Sequence, residues 1–255
     1  MESTATSTAA RDVSQVLELR QYTLHPGKRE VLVDLFERLF VDAQELLGMR
    51  VLGQFRDLDG PDRFVWLRGF PDLASRAGLL GAFYGGPVWK ANREAANATM
   101  IDSDDVLLLR PVDADSGLRL PCERRPQEDD PTGAFVLVTV YLLDAPVDDT
   151  FVRLFRTQVS PILAAAGCPP LGEYRTEYAR NDFPQLPVRE GEHAYVWVTS
   201  FAAPGDYDRS RAALARSSAW TSDVEPALRG HFTSPPQVLR LAPTARSLLR
   251  HGGPT

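Results

Sequence analysis

The chain has 255 residues, 44% of them apolar, and a formal net charge of -6. That supplies a sizeable core and suits one large domain or two of roughly 110 residues each. No basic run or basic stripe with interleaved aromatics occurs, so nucleic acid is not an expected partner. Met1–Ala10 lacks the apolar centre of a secretory signal, and no apolar run approaches the ~20 residues that span a bilayer. Cys122 and Cys168 form no CxxC or Cys/His cluster, so neither a disulfide framework nor zinc is expected. These features predict a reduced, cytoplasmic protein without a membrane span. Lys28 and Lys90 are the only lysines, which together with abundant Ala, Pro, Leu and Val suggests a GC-rich, actinobacterial genome.

Residues 1–14 read as a flexible tail. Val16-Leu-Glu-Leu-Arg-Gln-Tyr22 alternates with period two and predicts a strand, with Leu17 and Leu19 on one face and Glu18, Arg20 and Tyr22 on the other. His25-Pro26-Gly27 breaks it. Val31, Leu32, Leu35, Phe36, Leu39 and Phe40 recur at helical spacing and predict a helix from Lys28 to Leu47, capped at Gly48. Val51–Arg56 and the Trp66 strand, joined by the turn-forming Asp57–Asp62, predict a hairpin. Asp72 is placed to cap a second helix. Gly85-Gly86-Pro87 interrupts that helix, a further helical stretch starts at Trp89, and Val106–Arg110 is a fourth strand. The order β-α-β-β-α-β is that of a ferredoxin-like unit. Residues 113–133 are rich in Asp, Arg, Pro and Glu without an apolar period, and read as a linker that can itself pack.

The pattern then returns. Phe64-Val-Trp-Leu-Arg-Gly-Phe70 has a counterpart in Tyr195-Val-Trp-Val-Thr-Ser-Phe201, and Trp89 and Trp220 each follow the closing Phe by 19 residues. Val16–Tyr22 aligns with Phe135–Tyr141, Gly48 with Gly167, and Leu52–Arg56 with Leu171–Arg175. The offset is 119 at Arg56/Arg175 and 131 at Trp66/Trp197, so the second hairpin carries 12 extra residues between Thr176 and His193. The chain thus divides into a tail (1–14), a first repeat (15–112), a linker (113–133), a second repeat (134–243) and a short frayed tail (244–255). A ferredoxin-like sheet has one face covered by helices and one bare. Two bare faces on one chain can close an intramolecular barrel, an α+β fold in which the face opposite the helices is expected to line a cavity.

Glu18-Leu-Arg-Gln-Tyr22, Pro26-Gly27-Lys28, Val65-Trp66, Phe70, Arg76, Phe83-Tyr84 and Trp89 together resemble the NIPSNAP family of the dimeric α/β-barrel superfamily. The likeness covers about residues 15–112. Residues 134–243 resemble a degenerate second copy that keeps Tyr141, Trp197, Phe201 and Trp220. That copy lacks the Pro-Gly after its first strand and has Leu137 and Thr139 in place of Glu18 and Arg20. The resemblance implies the fold rather than a reaction. The wider superfamily includes cofactor-free monooxygenases, polyketide cyclases, haem-binding enzymes and catabolic isomerases.

Glu18, Arg20 and Tyr22 share a strand face expected to look into the barrel. One reading makes Arg20 a clamp for an anionic oxygen and Tyr22 an acid. The other pairs Glu18 with Arg20 or Arg56 as a structural tie between the half-barrels. Arg56 and Arg175, at equivalent positions, suit either a carboxylate or enolate in the cavity or pairing with Asp57 or Glu177. Tyr141 repeats Tyr22. His25, His231 and Glu173 are candidates for moving a proton, and each histidine also reads as an exposed loop residue. His193 is similar, and His251 is tail. Val65/Leu67 and Val196/Val198 are uniformly aliphatic and are assigned to the helix side, which turns Trp66 and Trp197 toward the barrel as an aromatic wall. The catalytic candidates are therefore Arg20, Tyr22, Tyr141, Glu173, Arg175 and His231, with Glu18, Arg56, Trp66, Trp197, Tyr174 and His25 as substrate contacts. No metal-ligand spacing, phosphate loop, dinucleotide fingerprint or GxSxG elbow occurs, so no metal or cofactor is expected.

Two functional readings follow. One is a cofactor-independent enzyme acting on a small hydrophobic, carbonyl-rich metabolite in a specialised or catabolic bacterial pathway. Its reaction would be cyclisation, isomerisation, C–C cleavage or oxygenation of a carbanion. The other is a non-catalytic protein whose duplicated barrel holds a ligand or docks a partner. A haem-binding variant requires a histidine facing the cavity. Pairing into a homodimer through the outer surface is compatible with each.

Overall fold

The computed structural model describes residues 11–12, 14–121, 124 and 133–250. Eight strands close one antiparallel barrel. The first repeat supplies β1 (Val16–Leu24), β2 (Arg50–Asp57), β3 (Arg63–Phe70) and β4 (Met100–Pro111). The second supplies β5 (Phe135–Leu142), β6 (Gly172–Thr176), β7 (Ala194–Phe201) and β8 (Gln237–Pro243). Around the barrel the order is β8-β2-β3-β1-β4-β6-β7-β5, with β5 returning to β8. Each repeat keeps the same internal order, and its outermost strand pairs with the hairpin of the other repeat. β4 meets β6 with Arg110 opposite Arg175, and β8 meets β2 with Ala242 opposite Arg56. Closure leaves the barrel with no unpaired sheet edge.

Helices cover the outer faces. α1 (Arg29–Leu35) and α2 (Val41–Glu45) flank a π-helical turn at Phe36–Phe40, where the sequence predicts one continuous helix. α3 (Leu73–Tyr84) starts at Asp72, whose side chain accepts from the Ser75 N–H, and α4 (Pro87–Asn97) follows the Gly85-Gly86 break. In the second repeat α5 (Asp149–Leu154) and α6 (Ser160–Ala165) flank a matching π turn at Phe155–Val159. α7 (Pro204–Arg216), another π turn and α8 (Glu225–Arg229) complete the layer. No described helix is long and apolar enough to cross a membrane.

The barrel interior corrects the expected orientation. It holds Leu17, Leu19, Val65, Leu67, Leu107 and Leu109 from the first repeat and Val136, Val138, Val140, Val196, Val198, Leu239 and Leu241 from the second. An eight-stranded barrel is just wide enough to be filled by side chains, and uniform aliphatics fill it best. Val65/Leu67 and Val196/Val198 therefore face inward, and Trp66 and Trp197 face the helices. Phe55 and Tyr174 enter the same core by lying over Gly53 and Gly172, two residues earlier on their strands.

Segments outside the two units also pack. Leu118 and Leu120, in the expected linker, join the barrel core, and Pro121 and Leu120 pair with Arg11 and Asp12. Leu248 and Leu249 join it too, and the Leu249 N–H donates to the Leu52 carbonyl at 2.8 Å. Residues 244–250 are thus built onto the barrel rather than frayed. Residues 1–10, 13, 122–123, 125–132 and 251–255, which include most of the expected N-terminal tail, Cys122 and His251, lie outside the described residues.

Candidate functional site

Turning the strand parity places Glu18, Arg20, Tyr22, Trp66 and Arg68 between sheet and helices of the first repeat. β1 and β3 run antiparallel with Glu18 opposite Arg68, Arg20 opposite Trp66 and Tyr22 opposite Phe64. Arg76 descends onto them from α3. All three arginines and Glu18 are almost wholly removed from solvent. Burying an ion is costly unless it is paired and hydrogen-bonded, so the pairing defines the site.

Glu18 is the hub. Its Oε2 accepts from Arg68 Nη2 at 2.6 Å, Arg68 Nε at 2.9 Å and Arg20 Nη1 at 2.9 Å. Its Oε1 accepts from Arg76 Nη2 at 2.6 Å and Nε at 2.9 Å. Burial opposes its ionisation, but Arg68, Arg20 and Arg76 together outweigh that and bring its pKa down to about 2. Arg68 Nη1 donates further to Gln44 Oε1 at 3.1 Å and to the Tyr84 hydroxyl at 3.4 Å. Arg76 Nη1 reaches Asp182 and Asn181 of the second repeat. Three guanidiniums thus share one buried carboxylate, and Asp182 supplies a second at the margin. One positive charge is left over. The expected pair of Glu18 with Arg20 is present, whereas Arg56 is absent from it. Glu18 and its three guanidiniums belong to the first repeat alone, and the tie between repeats runs instead through Arg76 and Asp182.

Arg20 turns its Nε to the Tyr22 hydroxyl at 3.0 Å. The oxygen therefore accepts from the guanidinium and keeps its own proton for donation. Burial pushes the Tyr22 pKa up despite Arg20 beside it, which keeps the phenol protonated. A cavity of about 30 Å³ lies against Tyr22, walled by Tyr22, Trp66, Gln44, Tyr84 and Trp89 and closed by apolar side chains including Phe36 and Phe40 of the π turn. A π turn re-aims the side chains of a helix and recurs at functional sites. The Trp66 indole N–H is buried without an acceptor. Such a donor is costly, and here it belongs to a cavity-lining side chain. The site thus offers hydroxyl and indole donors over residual positive charge, with aromatic walls. No group of three or more His, Cys, Asp or Glu among the described residues is arranged to hold a metal ion.

The other predicted site residues lie elsewhere. Arg56 and Arg175 occupy the two seams between repeats, on the outer face rather than inside the barrel, because each stands opposite a helix-facing aromatic, Phe64 or Tyr195. Arg56 pairs with Glu30 at 2.8 Å. His25 is exposed in the loop after β1. Tyr174 is inside the barrel, its hydroxyl accepting from the Leu118 N–H at 2.7 Å. Glu173 accepts from Tyr195 at 2.8 Å and from Arg156 at 3.1 Å. Tyr141 and Trp197 lie in the second helix–sheet core, where Tyr141 stacks on Phe232, and His231 packs edge-on to Phe151. That core has Leu137, Thr139, Thr199 and Tyr207 at the positions equivalent to Glu18, Arg20, Arg68 and Arg76. Arg68, Gln44 and Asp182 escaped the sequence reading. Arg68 had a signal, since it shares strand parity with Trp66. Asp182 had none, because only folding brings it to Arg76.

Residues 17–114 match the NIPSNAP family model. The first repeat is a NIPSNAP domain. The charged cluster and its cavity lie within that NIPSNAP repeat. Among solved structures, a putative monooxygenase from Fusobacterium nucleatum shares the fold over 93% of this chain and 94% of its own, at 10% identity and a TM-score of 0.56. A putative monooxygenase from Lactobacillus acidophilus does so over 90% and 94%, at 15% identity and 0.51. An anthrone oxidase-like protein does so over 92% and 94%, at 10% identity and 0.51. At these identities the likeness is one of fold, and it spans the NIPSNAP repeat and its partner repeat together. No curated protein matches the chain.

Proposed function

We propose that the protein is a cofactor-independent enzyme that stabilises the anion of a small, hydrophobic, carbonyl-rich substrate in the helix–sheet cavity of the NIPSNAP repeat. The observation that carries this is the unbalanced positive charge of Arg20, Arg68 and Arg76 around Glu18, joined to an aromatic-walled cavity by the hydrogen bonds of Arg20 to Tyr22 and of Arg68 to Gln44 and Tyr84, all three of which line it. An enolate or phenolate oxygen placed there gains electrostatic stabilisation that strengthens in a dry, low-dielectric site. Arg20 supplies the charge. Tyr22 and Trp66 supply donors for the oxygen. Tyr84 and Trp89 hold the ring faces.

The cavity brings no base with it. Glu18 is held in its ionised form by three guanidiniums and is a poor proton acceptor. His25, His231 and Glu173 are not among the lining residues. The substrate is therefore expected to be acidic in its own right, a phenol or an activated methylene between carbonyls, that ionises on binding. This supports oxygenation of a substrate carbanion over base-driven cyclisation: the substrate is the only reductant, its activated CH₂ becomes C=O with one atom of O₂, and the other atom leaves as water with the two hydrogens that the carbon loses, the first of them released to solvent on ionisation. The names of the similar folds, two putative monooxygenases and an anthrone oxidase-like protein, are consistent with that choice.

The test is oxygen uptake and product analysis with purified protein and anthrone or 1-naphthol, without added cofactor. Consumption above the buffer rate, lowered at least tenfold in Tyr22→Phe, supports the assignment. Tight binding without turnover, unaffected by these residues, supports the ligand-holding reading instead.

A further inference from the structure

The 12-residue insertion of the second repeat lies over the site of the first. Its ends are fixed to β4, where the Glu177 N–H donates to Leu108 at 2.9 Å and the Arg189 N–H to Val106 at 2.8 Å. Arg189 also pairs with Asp105 at 3.1 Å. Between these anchors the segment crosses α3. There Asp182 pairs with Arg76, and Asn181 Oδ1 accepts from the same nitrogen at 3.1 Å. Phe183 stacks on Tyr84, with centroids 6.1 Å apart and planes at 27°. The first repeat's own hairpin turn is short, so the second repeat receives no such cover. The repeat that keeps the buried charges is the one that is covered.

The cavity beneath has room for about one water molecule, far below the roughly 300–1,000 Å³ of small-molecule sites. A wall must move to admit a metabolite. β1 and β3 are locked in the closed ladder, and the π turn is wedged by Phe36 and Phe40 against Trp66, Phe83 and Trp89. The inserted segment has tethered ends and a tip held to the first repeat by side chains, and it backs Tyr84, a cavity wall.

We propose that residues 178–188 are a lid supplied by the second repeat, latched by Asp182 on Arg76 and by Phe183 on Tyr84. The ligand it admits is a planar aromatic bearing an anionic oxygen, which takes up the guanidinium charge that Asp182 gives back on opening. The ligand class rests on the cavity being the substrate site, and the lid does not. Hydrogen–deuterium exchange on the full chain tests the lid without any ligand. Arg76 keeps both hydrogen bonds to Glu18 in Asp182→Asn, and the replaced side chain is itself 29% exposed. It is expected to raise exchange in residues 178–188 at least tenfold with β1 and β3 unchanged, and equal exchange overturns the lid. Stopped-flow binding of 1-naphthol, read by tryptophan quenching, tests entry. At least fivefold faster association in Asp182→Asn supports gating, and an unchanged rate with binding intact overturns it. If 1-naphthol binds neither protein while lid exchange responds as expected, the ligand class and the substrate-site reading fail and the lid stands.

Discussion

Glu18 and Arg68 face each other across β1 and β3, and a single carboxylate oxygen accepts from both Nε and Nη2 of the guanidinium, at 2.9 and 2.6 Å. The same carboxylate holds Arg20 and Arg76. Replacing it leaves three buried cations without the charge they share. Glu18→Gln is expected to lose about 3–5 kcal/mol of stability, measured by urea unfolding at pH 7. A loss below about 1 kcal/mol would show that solvent or another carboxylate already balances the arginines.

Acid should act through the same residue. The folded pKa of Glu18, about 2, lies below its ordinary 4.5. The carboxylate therefore contributes stability that is fully present above pH 4.5 and is lost as pH falls toward 2, on the order of 3 kcal/mol in all. The stability gap between the native protein and Glu18→Gln should be widest near neutrality and shrink between pH 4.5 and 2. A gap constant across that window would contradict the pKa assignment.

The two repeats should respond unequally at matched positions. Tyr22→Phe removes the cavity hydroxyl and Trp66→Phe the unpartnered indole donor, and each should weaken 1-naphthol binding or turnover at least tenfold in folded protein. Tyr141→Phe and Trp197→Phe, at the equivalent positions of the second repeat, should leave both unchanged. Equal losses in the two repeats would place the site elsewhere.

Gly53 is required by the barrel core. A Cβ there would overlap Phe55 Cζ. Gly53→Ala is expected to cost about 1–3 kcal/mol by overpacking, and Phe55→Leu in the same chain should relieve part of that cost. A double-mutant cycle measures the relief, and strict additivity would mean that the ring does not lie on the glycine. Leu67→Ala, in the same interior, should cost about 2–5 kcal/mol.

The sequence by itself determined the duplication, the strand–helix order and the tandem closure, because period-two and period-3.6 patterns are local and the tryptophan motif recurs at one offset. It also marked Glu18, Arg20, Tyr22 and Trp66 as one face of neighbouring strands. Which way that face turned was decided only in the closed barrel. Alternation defines two faces of a strand without naming either, and an eight-stranded interior accepts the Val and Leu set while the wider helix–sheet gap takes aromatics and paired charges. The same closure separated Arg56 and Arg175 to the two seams and left Tyr141, Glu173 and His231 in the second repeat, away from the charged cluster. Asp182 reached Arg76 for the same reason. A hairpin insertion more than 100 residues downstream meets α3 only when β6 pairs with β4, and no local pattern encodes that pairing.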